Sequence, residues 1–428
     1  MTTAPRTLFF SGIGGIGMSA IAQLLHERGD TVIGSDREES PVTRLLEEKG
    51  IKIIIGDSVS NIPSDTALLV YSDAVPEDQV ERAYAREKGI PQVSYFEMLG
   101  SISEERRTIA VSGTHGKTTV TSMLAAILRD AGVRPTAVIG SIVKDFGSNY
   151  LSANGASSDV FVVEACEYMR HFLSLSPEVL VITNLEFDHT DYFEDLEDVQ
   201  DAFRALIEKV PAHGAIVTDA EHPNIAPLLV DTKATIVDYT KEPTYPLQLP
   251  GEFNEMNAKA AAAAARIIAP DIETLAIRKT LENFKGTWRR FEYKGRMGSV
   301  DVYDDYAHHP TAIKETLRAL RAKSKGRIFV AFHPHLYSRT RDLLDGFARA
   351  FSDADEVLIA PIYAAREVDD GTVSNDILAE RIRAEGVSAR AGTFKEIEEI
   401  LRAEPAEADV VMTMGAGDIY KVSDALTT

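Results

Sequence analysis

Cysteine is scarce in this chain of 428 residues, and basic residues are fewer than acidic ones. Its single cysteine, Cys166, excludes an internal disulfide and a zinc site built from several cysteines. No apolar run reaches the roughly 18 residues that a membrane-spanning helix needs. Lys and Arg number 45 against 66 Asp and Glu, and the net charge of −21 argues against binding to nucleic acid or to an anionic membrane. We expect a cytoplasmic protein, in which single loops remain free to bind small anionic ligands.

Alternating apolar strands and amphipathic helices begin three times along the chain. Residues 1–25 predict a strand, a glycine turn and a helix, in preference to a signal peptide. The polar segment 101–108 predicts a linker, and a second boundary is predicted near 284–293. We therefore expect an α/β fold of three domains. These are an N-terminal Rossmann-like domain at 1–103, a central P-loop-type ATPase α/β domain at 104–286 and a C-terminal Rossmann-like α/β domain at 287–428.

Several elements can be placed within these domains from the sequence pattern. The runs "VFVV" and "VLVI", at 160–163 and 179–182, are fully apolar, as in the buried strands of parallel sheets. The alanine-rich stretch 257–269 predicts a strong helix. A further helix is predicted over about 340–352 of the last domain.

The stretch "FSGIGGIGMSA" places G-x-G-x-x-G between a strand and a helix. Gly12, Gly14 and Gly17 would let backbone N–H groups approach a diphosphate at the helix N-terminus, and Asp36 ends the next strand. This spacing alone leaves open a dinucleotide, another nucleotide diphosphate and a tight turn without a ligand.

A second loop, "SGTHGKTTVTSML" at 112–124, carries more specific chemistry. Gly113 and Gly116 give the backbone room to surround an anion, Lys117 supplies a positive charge, and Thr118 supplies a hydroxyl that a magnesium ion could use. The spacing departs from the usual phosphate-loop pattern, which requires glycine where Val111 stands. We expect this loop to bind a nucleoside triphosphate.

Carboxylates follow two apolar strands of the same predicted domain. Glu164 and Glu167 follow "VFVV", and Asp188, His189 and Asp191 follow "VLVITNLEF". Each cluster alone is also consistent with a solvated loop. Their shared position at strand ends, near the triphosphate loop, favours magnesium held against phosphate oxygens.

Four histidines mark the last domain, in the stretches "DDYAHHP" and "HPHLYSRTRD". His308, His309, His333 and His335 could suggest zinc, but adjacent residues of an extended chain point in opposite directions. A four-histidine site would also leave Arg339 unexplained. Ligand contacts are favoured over zinc, and packing or capping roles remain an alternative.

With these stretches assembled, the chain resembles the Mur ligase family from about residue 8 to 422. The resemblance rests on stretches in family order: "GIGGIGMSAIA", "GTHGKTT", "EACEY", "TNLEFDHTDYF", "NEMNAKAA", "RRFEY", "YDDYAHHPTAI", "HPHLYSRTRDLL", "IYAARE" and "GAGDIY". In this family the first loop binds the UDP part of a sugar nucleotide and the central loop binds ATP. The resemblance thus implies two phosphate loops for two ligands.

The chain resembles one member of the family most, and this resemblance implies ATP and Mg²⁺ as cofactors. It implies UDP-N-acetylmuramate and L-alanine as substrates. ATP phosphorylates the muramate carboxyl, and the amine of the amino acid attacks the acyl phosphate. The resemblance implies catalytic roles for Lys117, Glu164, His189, His308 and Arg339. It also implies that Thr118 is a ligand of one magnesium ion, and that Glu164 and His189 hold a second magnesium ion.

The resemblance also implies two sets of binding residues. ATP contacts are expected at Gly113, Thr114, His115, Gly116, Lys117, Thr118, Thr119, Asn254, Asn257, Arg290 and Asp305. Substrate contacts are expected at Gly12, Gly14, Gly15, Ile16, Gly17, Asp36, Ser72, Asn184, Tyr306 and His335.

The chain departs from the family at a few of these positions. "EACEY" replaces the commoner "EADES", Leu336 stands where some members have arginine, and Phe253 stands where histidine is frequent. Three alternatives remain: a family member that attaches a recycled tripeptide to the same sugar nucleotide, an NAD-dependent oxidoreductase that uses the first loop, and a non-catalytic binding protein. We expect a monomer or a weak homodimer.

Overall fold

The computed structural model describes residues 5–153, 159–365 and 367–428. Its strands form three sheets, which follow one another along the chain and carry helices between their strands. The predicted α/β fold of three domains is therefore confirmed. Within the described ranges, no helix is long and apolar enough to cross a bilayer. Residues 1–4 of the predicted first domain, and residue 366 in the stretch "IYAARE", lie outside the described residues.

The first sheet has five parallel strands in the order β3-β2-β1-β4-β5. Its strands are β1 Thr7–Ser11, β2 Thr31–Asp36, β3 Lys52–Ile55, β4 Thr66–Tyr71 and β5 Gln92–Ser94. Its helices are α1 Ile16–Glu27, α2 Pro41–Glu48, α3 Val80–Glu87 and α4 Tyr95–Glu104. The predicted strand, turn and helix at the start of the chain are confirmed as β1 and α1.

The predicted linker at 101–108 is wrong. Helix α4 continues to Glu104 and strand β6 begins at Arg107. Ser94 and Glu97 form a capping box that starts the helix, and its apolar face buries Leu99 and Ile102. The polar residues of this segment occupy the solvated side of an amphipathic helix, which the composition alone does not reveal.

The central sheet has seven strands in the order β12-β11-β10-β6-β9-β7-β8, and only the β7–β8 pair is antiparallel. Its strands are β6 Arg107–Ser112, β7 Thr136–Val143, β8 Ser148–Leu151, β9 Val160–Glu164, β10 Val179–Ile182, β11 Ala215–Thr218 and β12 Thr235–Asp238. Its helices are α5 Lys117–Asp130, α6 Leu196–Glu208, α7 Glu252–Ile268 and α8 Thr274–Asn283. The apolar runs are the buried parallel strands β9 and β10, and the alanine-rich stretch lies in α7, as predicted.

The third sheet has six strands in the order β13-β14-β18-β15-β16-β17, with an antiparallel β13 at one edge. Its strands are β13 Glu292–Met297, β14 Val300–Asp305, β15 Ile328–Phe332, β16 Glu356–Ile359, β17 Ser388–Ala391 and β18 Val410–Met414. Its helices are α9 Pro310–Lys323, α10 Tyr337–Asp342, α11 Leu344–Ala350, α12 Asn375–Ala384, α13 Phe394–Ala403 and α14 Tyr420–Thr427. The single helix predicted over 340–352 is wrong, because the chain leaves helical geometry at Leu343 (φ −107°, ψ 18°) and forms α10 and α11.

A buried polar network joins the first sheet's helix α1 to strand β8 of the central sheet. The Asn149 amide donates to Ser19 Oγ at 2.8 Å and to the Ile16 carbonyl. Gln23 donates to Asn149 Oδ1 at 3.0 Å and accepts from Ser148 Oγ at 2.9 Å. Because Asn149 is fully buried, these bonds hold the helix that follows the first glycine loop against the central domain.

Candidate active site

The central loop turns sharply between β6 and α5. Gly113 and Gly116 have φ angles of +125° and +84°, which side chains other than glycine rarely adopt. A Cβ at Gly116 would also collide with Asn257 Oδ1. The His115 backbone N–H donates to Asn184 Oδ1 at 2.9 Å. The loop is therefore held in shape from two sides, at the N-terminus of α5.

Lys117, the first residue of α5, folds back over this loop. Its Nζ donates to the Gly113 carbonyl at 2.5 Å and to both carboxylate oxygens of Glu167 at 2.9 and 3.0 Å. Burial acts to lower the pKa of Lys117, but the Glu167 carboxylate outweighs it and raises that pKa above its ordinary value. The ammonium group is therefore charged and anchored at the loop.

Thr118 contacts two charged groups. Its Oγ1 donates to Glu164 Oε1 at 2.9 Å and accepts from the Arg290 guanidinium at 3.2 Å. The second Glu164 oxygen accepts from the Gly140 backbone N–H at 2.9 Å. A hydroxyl, a carboxylate and a guanidinium thus converge beside the triphosphate loop.

His189 lies beside Glu167, with 3.6 Å between its Nε2 and Glu167 Oε1. Glu164, expected to act with His189 on one ion, is bonded to Thr118 and Gly140 instead, although Glu164 and His189 line the same cavity. Cys166 lies next to this pair. Burial and the Glu167 charge raise the pKa of its thiol to about 12, so the thiol is protonated.

A buried ion pair joins the central and C-terminal domains. Arg339 Nε lies 2.9 Å from Asp188 Oδ1, and the two side chains are 3% and 6% exposed. Burial would raise the pKa of Asp188, but Arg339 lowers it well below its usual value. Burial and Arg339 together hold the pKa of neighbouring His308 well below its usual value, so His308 is neutral.

Asp305 ends β14 opposite the triphosphate loop. Its carboxylate accepts from the backbone N–H groups of Phe291 and Ala307 at 2.6 and 2.7 Å. Burial raises its pKa to about 6, although the Arg290 charge opposes the shift. Arg290 also lies 4.9 Å from the ring centre of Tyr306, another residue of the C-terminal domain.

A cavity of about 720 Å³ lies among these groups. Most of the predicted site residues line it: Ile16, Thr114, His115, Gly116, Lys117, Thr118, Thr119, Glu164, Asn184, His189, Asn254, Asn257, Arg290, Asp305, Tyr306, His308, His335 and Arg339. Gly113 lies against Thr183, and a Cβ at this position would collide with the threonine side chain.

The first glycine loop lies apart from this cavity, which touches only Ile16 of its predicted residues. Gly12, Gly14, Gly15, Gly17, Asp36 and Ser72 belong to the end of the first sheet. Asp36 Oδ2 accepts from the Gly14 backbone N–H at 2.8 Å, so the carboxylate positions the loop. Ser72 N–H donates to the Ser11 carbonyl at 3.1 Å.

Sequence reasoning missed several residues of the cavity wall. Arg289 is buried, pairs with Asp304 at 2.8 Å and donates to the Gly415 and Gly417 carbonyls. Glu186 was missed as well, and it lines the cavity together with His309, one of the four histidines for which the sequence favoured ligand contacts. Glu186 could have been predicted from its position, because it follows the apolar strand β10 and precedes Asp188 by two residues.

Three sheets, a nucleotide loop on the middle one and a cavity completed by the third domain define a nucleotide-dependent enzyme of several domains. Three family models match successive parts of the chain: "Mur ligase family, catalytic domain" at 8–107, "Mur ligase middle domain" at 111–245 and "Mur ligase, glutamate ligase domain" at 289–417. The chain belongs to the Mur ligase family and is an ATP-dependent ligase.

Several proteins are similar to this chain over nearly its whole length. A UDP-N-acetylmuramate–L-alanine ligase of Acetivibrio thermocellus is 41% identical, covering 98% of this chain and 95% of that protein. The ligase of the same name from Lachnospira eligens is 37% identical, covering 99% and 98%. The crystal structure of UDP-N-acetylmuramate-alanine ligase from Thermotoga maritima matches with a TM-score of 0.80 at 28% identity, covering 98% of each chain. A murein peptide ligase from Psychrobacter arcticus, at 24% identity and a TM-score of 0.74, shares the fold.

Proposed function

We propose that this chain joins L-alanine to the carboxylate of UDP-N-acetylmuramate, using ATP, in the synthesis of a peptidoglycan precursor. The observation that carries the proposal is the 41% identity to a ligase of that name over 98% of the chain. The site geometry supports the use of ATP, because a lysine is anchored at the glycine loop and Arg290 of the third domain bonds Thr118 of the same helix start.

In the proposed reaction the muramate carboxylate attacks the γ-phosphorus of ATP, and ADP leaves. The alanine amine then attacks the acyl phosphate, loses a proton and releases inorganic phosphate as the amide forms. The chain contributes mainly positioning and neutralisation of the charge that develops on the transferred phosphoryl group. Lys117 and Arg290 would serve that role, which is supported by the position of Lys117 on the loop and by the bond from Arg290 to Thr118.

Magnesium fits the oxygen groups beside the loop. Thr118 Oγ1 and Glu164 Oε1 are 2.9 Å apart, and a Cβ at Gly140 would collide with the Glu164 carboxylate, so the glycine leaves room for that group. A hydroxyl and a carboxylate are hard ligands of the kind that Mg²⁺ takes beside substrate phosphates. Thr118 would hold one ion, Glu164 and His189 would hold a second, and both ions would neutralise phosphate charge.

In this proposal the three domains bind different ligands. Residues 1–103 would bind the UDP-sugar through Gly12 to Gly17, residues 104–286 would bind ATP, and residues 287–428 would complete the ATP and alanine sites. Tyr306, His308, His335 and Arg339 line the side of the cavity expected to receive alanine. We expect a cytoplasmic monomer or weak homodimer without nucleic-acid or membrane partners.

The test is release of phosphate from ATP by the purified chain with UDP-N-acetylmuramate and a panel of amino acids and short peptides. We expect turnover with L-alanine, weaker turnover with glycine or serine, and none without the sugar nucleotide. The matched control is Lys117→Met, which removes the ammonium group and nearly preserves side-chain length. Turnover with a tripeptide and none with L-alanine would assign the chain to the murein peptide ligase reaction and contradict the proposal.

A further inference from the structure

A second cluster of ligating side chains lies across the boundary between the central and C-terminal domains. His115 belongs to the triphosphate loop, Glu186 follows β10, and His309 is the N-cap of α9. His115 Nε2 lies 3.7 Å from Glu186 Oε2, and His309 Nδ1 lies 4.0 Å from the same oxygen. One ligand atom from each of the three residues lies within 4.8 Å of the other two.

Hydrogen bonds assign the tautomer of His309. Its Nδ1 accepts from the Thr311 backbone N–H at 3.3 Å, so Nδ1 carries a lone pair. Its Nε2 therefore carries the proton, which points to the Phe187 carbonyl at 3.3 Å. Burial and the nearby His115 lower the pKa of His309 to about 4, so the ring is neutral at pH 7. A neutral imidazole whose far N–H is held by a backbone carbonyl is the usual arrangement of a metal-ligating histidine.

The other two side chains place a carboxylate and an imidazole nitrogen beside His309. Burial would raise the pKa of Glu186, but His115 and Thr311 lower it to about 2, so Glu186 is ionised. Within the described parts of the chain, buried Nε2 of His115 has no hydrogen-bond partner. An ionised oxygen thus lies near one buried nitrogen without a hydrogen bond and near His309 Nδ1. Thr311 donates to this oxygen from its hydroxyl at 2.7 Å and to His309 Nδ1 from its backbone N–H, so a bound metal would replace these two bonds.

We propose that His115, Glu186 and His309 form a zinc site that joins the triphosphate loop to the C-terminal domain. Two imidazoles and one carboxylate are a common ligand set for zinc, which binds them at about 2.0–2.2 Å. Ligand atoms of a tetrahedral site then lie roughly 3.5 Å apart, so the observed separations need only small side-chain movements. This set shares no residue with Thr118, Glu164 and His189, and the proposal depends on no step of the ligation.

One other group of possible ligands within the described ranges is Cys166, Glu167 and His189. Its carboxylate is already bound by the Lys117 ammonium at 2.9 and 3.0 Å, and its thiol is protonated. A metal there would have to displace a lysine and a proton. We therefore assign zinc to the cluster that contains Glu186. Detection of a sulfur ligand to the metal would contradict this assignment.

The experiment is calorimetric titration of the full chain with Zn²⁺, without nucleotide, and absorption spectroscopy with Co²⁺. We expect one zinc per chain, and a cobalt spectrum typical of four-coordinate nitrogen and oxygen ligands. Glu186→Gln keeps an acceptor for Thr311, and His309→Asn keeps a side chain that can cap α9. Each should weaken zinc binding by at least about 10-fold. The control is His213→Ala, which changes an exposed histidine and should leave binding unchanged.

Circular dichroism and urea unfolding of each variant separate loss of the site from loss of the fold. The proposal is wrong if zinc does not bind stoichiometrically, or if folded Glu186→Gln and His309→Asn bind it as tightly as the parent chain. A thiolate-to-cobalt charge-transfer band that Cys166→Ser abolishes would move the metal to the other cluster and would also contradict it.

Discussion

The two glycine-rich loops follow the same path, from a parallel strand into a helix, yet their surroundings differ. The first loop carries no lysine or arginine between Gly12 and Gly17, and Asp36 binds its Gly14 backbone N–H at 2.8 Å. The second loop carries Lys117 at its helix start, with Glu164 and Arg290 bonded to Thr118. A glycine pattern therefore reports a backbone path, and the side chains around it determine the class of ligand.

The glycines of both loops have structural reasons of their own. A Cβ at Gly17 would lie 2.6 Å from the Tyr95 hydroxyl, and one at Gly14 would lie 2.8 Å from Asp36 Oδ2. Gly116 needs its positive φ and the space beside Asn257. This explains why spacing alone left the ligand of the first loop open between a dinucleotide, another diphosphate and no ligand.

The largest effect should come from the lysine that distinguishes the second loop. Lys117→Met removes the charge that we propose stabilises the transferring phosphoryl group, and kcat should fall about 100-fold or more. Affinity for UDP-N-acetylmuramate, measured by calorimetry, should stay near that of the parent chain. The variant also leaves Glu167 without its buried partner, so Lys117→Met/Glu167→Gln is the control for stability. An unchanged kcat in the folded double variant would remove Lys117 from the mechanism.

The next effect concerns the buried ion pair between the central and C-terminal domains. Arg339→Ala leaves the buried Asp188 carboxylate without its partner, which costs about 3–5 kcal/mol. Urea unfolding should show this loss. In Arg339→Met/Asp188→Asn the buried charge is gone, and much of the stability should return while activity stays low. Equal destabilisation in both variants would mean that the ion pair is not the cause.

A smaller effect separates two neighbouring glycines of the first loop. Gly14→Ala would press against Asp36 and Thr43, an overpacking that costs about 1–3 kcal/mol. The KM for UDP-N-acetylmuramate should rise on the order of 10-fold, with little change in the KM for ATP. Gly15→Ala, whose nearest contact would be at 3.4 Å, is the matched control for packing. A rise in the KM for ATP alone would contradict the division of ligands between the loops.

The smallest effect lies outside both loops and concerns pH. Burial lowers the pKa of His333 to about 4. A depressed folded-state pKa gives stability that is complete above the unfolded value of about 6.5 and is lost as pH falls toward 4. Between pH 7 and 5, His333 should account for about 2 kcal/mol of lost stability. His333→Gln should reduce the pH dependence of the urea midpoint, and exposed His213→Gln should not.

Local features of the fold and site were predictable from sequence. The strands β1, β9 and β10, the helices α1 and α5, and the acids at strand ends follow from apolar runs and nearby turns. The linker at 101–108 failed because serine and glutamate also cover the outside of a helix, although the Ser94 and Glu97 capping box was readable.

Contacts between distant segments were not predictable. The Asp188–Arg339 pair spans 151 residues, and the bond from Arg290 to Thr118 spans 172. Both depend on how the third domain packs on the second, which no local pattern encodes. The proximity of His115 and His309 has the same origin, since the two residues lie in different domains.

Calorimetric titration with UDP-N-acetylmuramate, a non-hydrolysable ATP analogue and NAD tests the central claim most directly, because that claim assigns two loops to two different ligands. We predict that the sugar nucleotide and the ATP analogue each bind once per chain. Gly14→Ala should weaken only the sugar nucleotide, Lys117→Met should weaken only the ATP analogue, and NAD should not bind. Tight binding of NAD without binding of UDP-N-acetylmuramate, or competition between the two nucleotides for one site, would contradict the account.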